Sequence, residues 1–73
     1  MIDKQSIKKL ADTVYECTNS KQRTVELVSW ASFGETRAPK MTAFLNNNPK
    51  ATYAKIQYEM SKIVAEEKLY GER

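Results

Sequence analysis

The sequence has no histidine, one cysteine, two glycines and two prolines among its 73 residues. Each shortage excludes something. Without histidine, the side chain most often used to move protons near neutral pH is missing, and so is the commonest metal ligand. A lone Cys17 forms no internal disulfide, so a secreted cysteine framework is excluded and a reducing compartment fits. Few glycines and prolines mean few breaks, which favours helices over many short strands joined by turns. There is no glycine-rich phosphate loop, and no stretch approaches the ~20 apolar residues of a membrane span. Asp3, Lys4, Lys8, Lys9 and Asp12 interrupt any apolar run near the start, so no secretion signal is read there. These absences predict a cytoplasmic protein with no metal, no cofactor and no catalytic residues.

What is present has a globular balance, 41% hydrophobic and 29% charged, apolar enough to fold. The length allows one small domain, which buries only about 60% of the surface its unfolded chain exposes. With no disulfide or metal to help, the core must rest on well-packed helices or on self-association.

Apolar spacing predicts an all-α fold, a bundle of about four helices near residues 3–18, 21–33, 36–47 and 49–70. Ile7, Leu10, Ala11, Val14 and Cys17 form the first stripe, with Asp3 as N-cap and Ile2 and Ile7 as a hydrophobic staple. Thr18, Asn19 and Ser20 end that helix. Leu27, Val28, Trp30 and Ala31 give the second its apolar face, and Gly34 is placed as a helix-ending glycine. Its β-branched Thr24, Val25 and Val28 would also suit a strand, but there is no second strand nearby to pair with. The third helix has Pro39 in its first turn, an apolar patch at Met41, Phe44 and Leu45, and three asparagines at its end. Asn48 and Pro49 read as cap and first residue of the fourth helix, with Thr52 an alternative cap and Gly71 its stop. Tyr53, Ile56, Met60 and Ile63 recur three and four apart; Glu67 interrupts that row, so core packing is preferred to a coiled coil.

Cys17 lies on an apolar stripe with no histidine to activate it, and reads as a packed hydrophobe rather than a nucleophile. The carboxylates are scattered, and adjacent Glu66 and Glu67 point apart on a helix. Charge says more. From Thr36 to Tyr58 there is no acidic residue, while Arg37, Lys40, Lys50 and Lys55 all fall there. The rest of the chain is slightly acidic, eight basic residues against nine acidic. Thr42, Asn46 and Asn47 in the same window carry side chains suited to phosphate oxygens or base edges. An acid-poor window can also arise in any lysine-rich small protein.

The run Trp30-Ala31-Ser32-Phe33-Gly34-Glu35-Thr36-Arg37-Ala38-Pro39-Lys40-Met41-Thr42-Ala43-Phe44-Leu45-Asn46 resembles the helix-turn-helix headpiece of the lac repressor family. Ala31 stands at the helix crossing, and Met41 and Phe44 at the positions that pack back on the first helix. Pro49, Thr52, Met60 and Ile63 follow in the family's order. The resemblance covers roughly 40 residues and implies a stand-alone, phage-type regulator that binds double-stranded DNA. Thr36–Asn46 would be the recognition helix, with Arg37, Lys40, Thr42 and Ala43 facing the major groove. The contact set it implies is Arg37, Lys40, Thr42, Asn46, Asn47, Lys50 and Lys55. A homodimer, expected on the last helix, would match paired half-sites. The sequence departs from the family pattern at Glu35, where glycine is usual, at Thr36, and at Pro39 within the recognition helix.

The residues leave a second reading open: a small helical inhibitor or adaptor that binds a larger protein. Tyr53, Tyr58 and Tyr70 exceed what one buried face of the last helix needs, and are its candidate anchors. Tyrosines lining a core edge with their hydroxyls in water would give the same pattern.

Overall fold

Side chains that close helix ends set the architecture. The computed structural model describes residues 3–70, the side chain of Tyr70 excepted. Four helices follow in order: α1 (Lys4–Thr18), α2 (Lys21–Ala31), α3 (Arg37–Asn47) and α4 (Tyr53–Tyr70). Among the described residues there is no strand, so the fold is an all-α four-helix bundle. Asp3 caps α1, accepting from the Gln5 amide at 3.1 Å and from the Ser6 hydroxyl at 3.2 Å. Ile2 and Gly71, placed by the sequence at a staple and a helix stop, lie outside the described residues. Asn19 ends α1 in the left-handed region at φ 54°, its amide donating to the Tyr15 carbonyl at 2.7 Å. Asparagine is among the few L-residues that tolerate this backbone. Ser20 then caps α2 by accepting from the Arg23 amide at 3.2 Å, so two residues turn the chain between α1 and α2.

Two expected helix ends are corrected. Helix α2 stops at Ala31, before Phe33, because amide bonds that reach back three residues, from Phe33 to the Trp30 carbonyl and from Gly34 to the Ala31 carbonyl, tighten its last turn. Gly34 is not in a left-handed conformation, and its bare Cα serves a different purpose, set out below. At the other connection, Asn48 and Pro49 do not start α4. The Asn48 side chain donates to the Phe44 carbonyl at 2.9 Å and closes α3. Its carbonyl accepts from the Ala51 amide at 3.0 Å, with Pro49 second in the turn, where its fixed φ fits. Thr52 is the cap: its hydroxyl accepts from the Lys55 amide at 3.2 Å.

The core takes residues from every helix: Leu10 and Val14, Leu27 and Ala31, Ala38, Met41 and Leu45, Ile56 and Ile63. Ile7, Cys17, Trp30, Phe44, Ala51, Tyr53 and Met60 pack around it, half-buried. Helix α1 packs mainly on α2 and α3, and α4 lies along α3. Arg37 at the start of α3 meets Glu67 near the end of α4, so these two helices run antiparallel.

That contact ties three elements beside the five-residue connection from α2 to α3. The Arg37 guanidinium donates through Nε and NH2 to the two Glu67 carboxylate oxygens, both at 2.9 Å. Its NH1 donates to the Trp30 carbonyl at 3.0 Å, which also accepts from the Phe33 amide at the end of α2. The guanidinium carbon lies 5.3 Å from the Trp30 ring centroid, within cation–π range. A Cβ on Gly34 would stand 2.7 Å from a Glu67 oxygen and 2.8 Å from Arg37 Nε. The bare Cα of Gly34 leaves room for this pairing.

The hydrogen bonds from Arg37 hold the Glu67 carboxyl below the usual carboxylate range. A carboxyl lowered in the folded state contributes stability above its unfolded value, and that stability is lost as pH falls through the folded value. Urea unfolding of the wild type should therefore show a loss of stability on acidification below about pH 4.3 that is smaller in Glu67→Gln. Gly34→Ala gains about 0.4–1 kcal/mol from a stiffer unfolded chain but disturbs charged hydrogen bonds worth about 1.5–3 kcal/mol. A net destabilisation of about 1 kcal/mol is expected, with the same blunted pH response.

Candidate interaction surfaces

The fold brings acid to the acid-free window. Glu66 and Glu67 lie outside it in sequence, yet antiparallel α4 returns both to the start of α3. Lys40 Nζ pairs with Glu66 Oε1 at 3.2 Å, and Arg37 is held by Glu67. These four charges cancel. The Arg37 side chain, expected at a DNA groove, is only 14% exposed, and its Nε, NH1 and NH2 are all engaged within the protein. Its length and planar fork, which suit phosphate and guanine, suit a carboxylate and a helix-end carbonyl equally well.

The other window residues fall into two groups. Thr42 is half-buried and turned toward α1, where Thr42, Pro39, Ala43 and Asn46 face Ser6 and Lys9 across a shallow cleft. The Thr42 hydroxyl oxygen is buried without a hydrogen-bond partner. Lys50 and Lys55 share a second shallow depression with Asn48, Pro49, Ala51 and Thr52, at the turn between α3 and α4. Asn46 and Asn47 are exposed near the C-terminal end of α3. The seven expected contacts therefore do not form one patch. Arg37 and Lys40 sit at one end of α3 in contact with α4, while Asn46, Asn47 and Lys50 lie at or beyond the other.

The tyrosines separate as well. Tyr53 is half-buried, its hydroxyl donating to Glu26 and its ring lying 3.6 Å from the Arg23 guanidinium carbon. The Glu26 bond, with burial, pushes the Tyr53 hydroxyl pKa up. Tyr53 therefore ties the first turn of α4 to α2. Tyr58 is 69% exposed, while the Tyr70 side chain lies outside the described residues. Tyr58 belongs to a longer row. Ala54, Tyr58, Ser61, Ala65 and Leu69 are all exposed, Leu69 at 75%. At 100° per residue they fall within an arc of about 80°, on the side of α4 away from buried Ile56 and Ile63. A groove of about 690 Å³ lies between α1 and α2, lined by Ala11, Asp12, Tyr15, Glu16, Lys21, Thr24 and Val25. Another of about 680 Å³ adjoins the α4 row and contains Trp30, Met60 and Val64.

Sequence reasoning singled out Tyr58 but missed Leu69, Phe33, Tyr15 and Val25, which are exposed. The signal was available as apolar residues off the main stripe: Val25 stands about 200° round the helix from Leu27. No cluster among the described residues has the composition of a metal site. No described helix is long and apolar enough to cross a membrane. Cys17 is half-buried; burial first, then the neighbouring Glu16 charge, raise its thiol pKa. Iodoacetamide should alkylate the native protein near neutral pH more slowly than it does free cysteine, and unfolding in urea should remove most of the difference. Modification as fast as that of free cysteine would contradict this placement.

Compared with known protein families, curated proteins and solved structures, the chain matches none.

Proposed function

We propose that this chain is a non-enzymatic protein-interaction module, an adaptor or inhibitor that docks on a larger protein through the outer face of α4. The observation that carries the reading is the exposed row Ala54, Tyr58, Ser61, Ala65 and Leu69, which holds no charge and has no role in the core. Helix α4 thus has two apolar faces, and a soluble helix ordinarily keeps one. Lys62 and Lys68 flank the row as a charged rim, and the adjoining groove at Trp30, Met60 and Val64 can receive a partner side chain. Tyrosine and methionine at the centre with lysine at the edge is the composition of a protein interface.

A Tyr58→Glu/Leu69→Glu variant tests this. Both residues are exposed, so stability should stay within about 0.5 kcal/mol. Partner affinity, measured after capture from the source cells and purification of the partner, should fall about tenfold or more. A captured partner that the variant binds as tightly as the wild type would overturn the assignment.

A second reading, double-stranded DNA, retains one supporting observation. Lys50 and Lys55 are exposed beside the N-terminus of α4, and neither forms an ion pair among the described residues. A helix N-terminus with two lysines suits phosphate. If this reading holds, Lys50→Ala/Lys55→Ala weakens binding to every duplex alike and lowers its salt dependence. No binding by the wild type at ~50 mM salt rejects it.

A further inference from the structure

Helix α1 carries its charges in an order that works against itself. Lys4 and Lys8 lie in its first half and Asp12 and Glu16 in its second, all four exposed. Beyond the cap Asp3 there is no acidic residue in the first turn, and there is no basic residue in the last. The helix dipole favours the opposite arrangement. Lysine preceding the acid by four residues is also the weaker direction for pairing within a helix. Among the described residues none of the four forms an ion pair.

The four positions recur every four residues, so they form one stripe on the outer side of α1, away from Leu10 and Val14. Beside the stripe runs the α1–α2 groove, with Tyr15 and Val25 exposed in it. We infer that this face binds a second copy of the chain, with the two α1 helices antiparallel across a two-fold axis. In that arrangement Lys4 meets Glu16 of the second copy and Lys8 meets its Asp12. Both pairings are centred on the same point of α1, near Leu10, so a single axis satisfies them together. The contact is isologous and closes on itself. Tyr15, Ala11 and Val25 supply the apolar floor, over which the lysine stems of the second copy lie. Antiparallel alignment also places the basic start of one helix beside the acidic end of the other, which removes the conflict with the dipole. The surface is distinct from the α4 row, so the inference does not depend on the proposed function.

Sedimentation equilibrium of purified protein tests it, at ~50 mM salt where screening is weak. The wild type should reach twice the 8.4 kDa chain mass as concentration rises. Raising salt to ~500 mM should weaken association by about tenfold or more. Lys4→Glu/Lys8→Glu makes the stripe wholly acidic, and Asp12→Lys/Glu16→Lys makes it wholly basic. Each variant alone should remain monomeric, while an equimolar mixture of the two should restore the dimer. Circular dichroism of each variant separates repulsion from failure to fold; if either is unfolded, the single changes Lys8→Glu and Asp12→Lys are mixed instead. A monomeric wild type, self-association unaffected by charge reversal, or a mixture that stays monomeric would overturn the inference. The Tyr58 and Leu69 test stands apart from each of these outcomes.

Discussion

One guanidinium holds the irregular side of this bundle together. Arg37 binds both oxygens of Glu67, donates to the Trp30 carbonyl, and lies over the Trp30 ring. It thereby joins the end of α2, the start of α3 and the last turns of α4, beside the five residues that connect α2 to α3. Partial burial makes these bonds stronger than surface ion pairs, because water competes for them less. Gly34 leaves space for the carboxylate to approach. Other corners of the fold are closed by short local devices: Asp3, Asn19, Ser20, Asn48 and Thr52. The Arg37 contact spans thirty residues of sequence and has no local equivalent.

The same contact changes the electrostatics of the molecule. A run of basic residues in sequence becomes a basic surface only if no acid folds onto it. Here α4 lays Glu66 and Glu67 against Lys40 and Arg37, and the start of α3 becomes neutral. Lys50 and Lys55 keep their charge at the far turn. The open surface is instead marked by apolar groups on α4 and in the α1–α2 groove.

The fold was legible in the sequence where local chemistry decides it. The cap at Asp3, the break at Thr18, Asn19 and Ser20, the stripe through Leu10 and Val14, and the row Ile56 to Ile63 depend on residues a few positions apart, and period and capping expose them. The ends near Phe33 and Asn48 were harder to place. There a tightened turn and a side-chain bond back to Phe44 compete with the expected helix signals. The candidate site was least legible, because its governing fact is a pairing between residues thirty positions apart. Nothing local to Arg37 indicates Glu67. Tyr58 was visible as a surplus tyrosine, but its row became clear only once Ile56 and Ile63 fixed which side of α4 faces inward.

Arg37 is committed to the interior of the fold rather than held out to a ligand. A double-mutant cycle measures that commitment: Arg37→Met and Glu67→Gln, singly and together, by urea unfolding at neutral pH. Each single change should destabilise the protein, and the pair should show a coupling of about 1–3 kcal/mol. Single changes near zero that add within about 0.5 kcal/mol would mean that Arg37 is free to serve another partner, and would contradict that commitment.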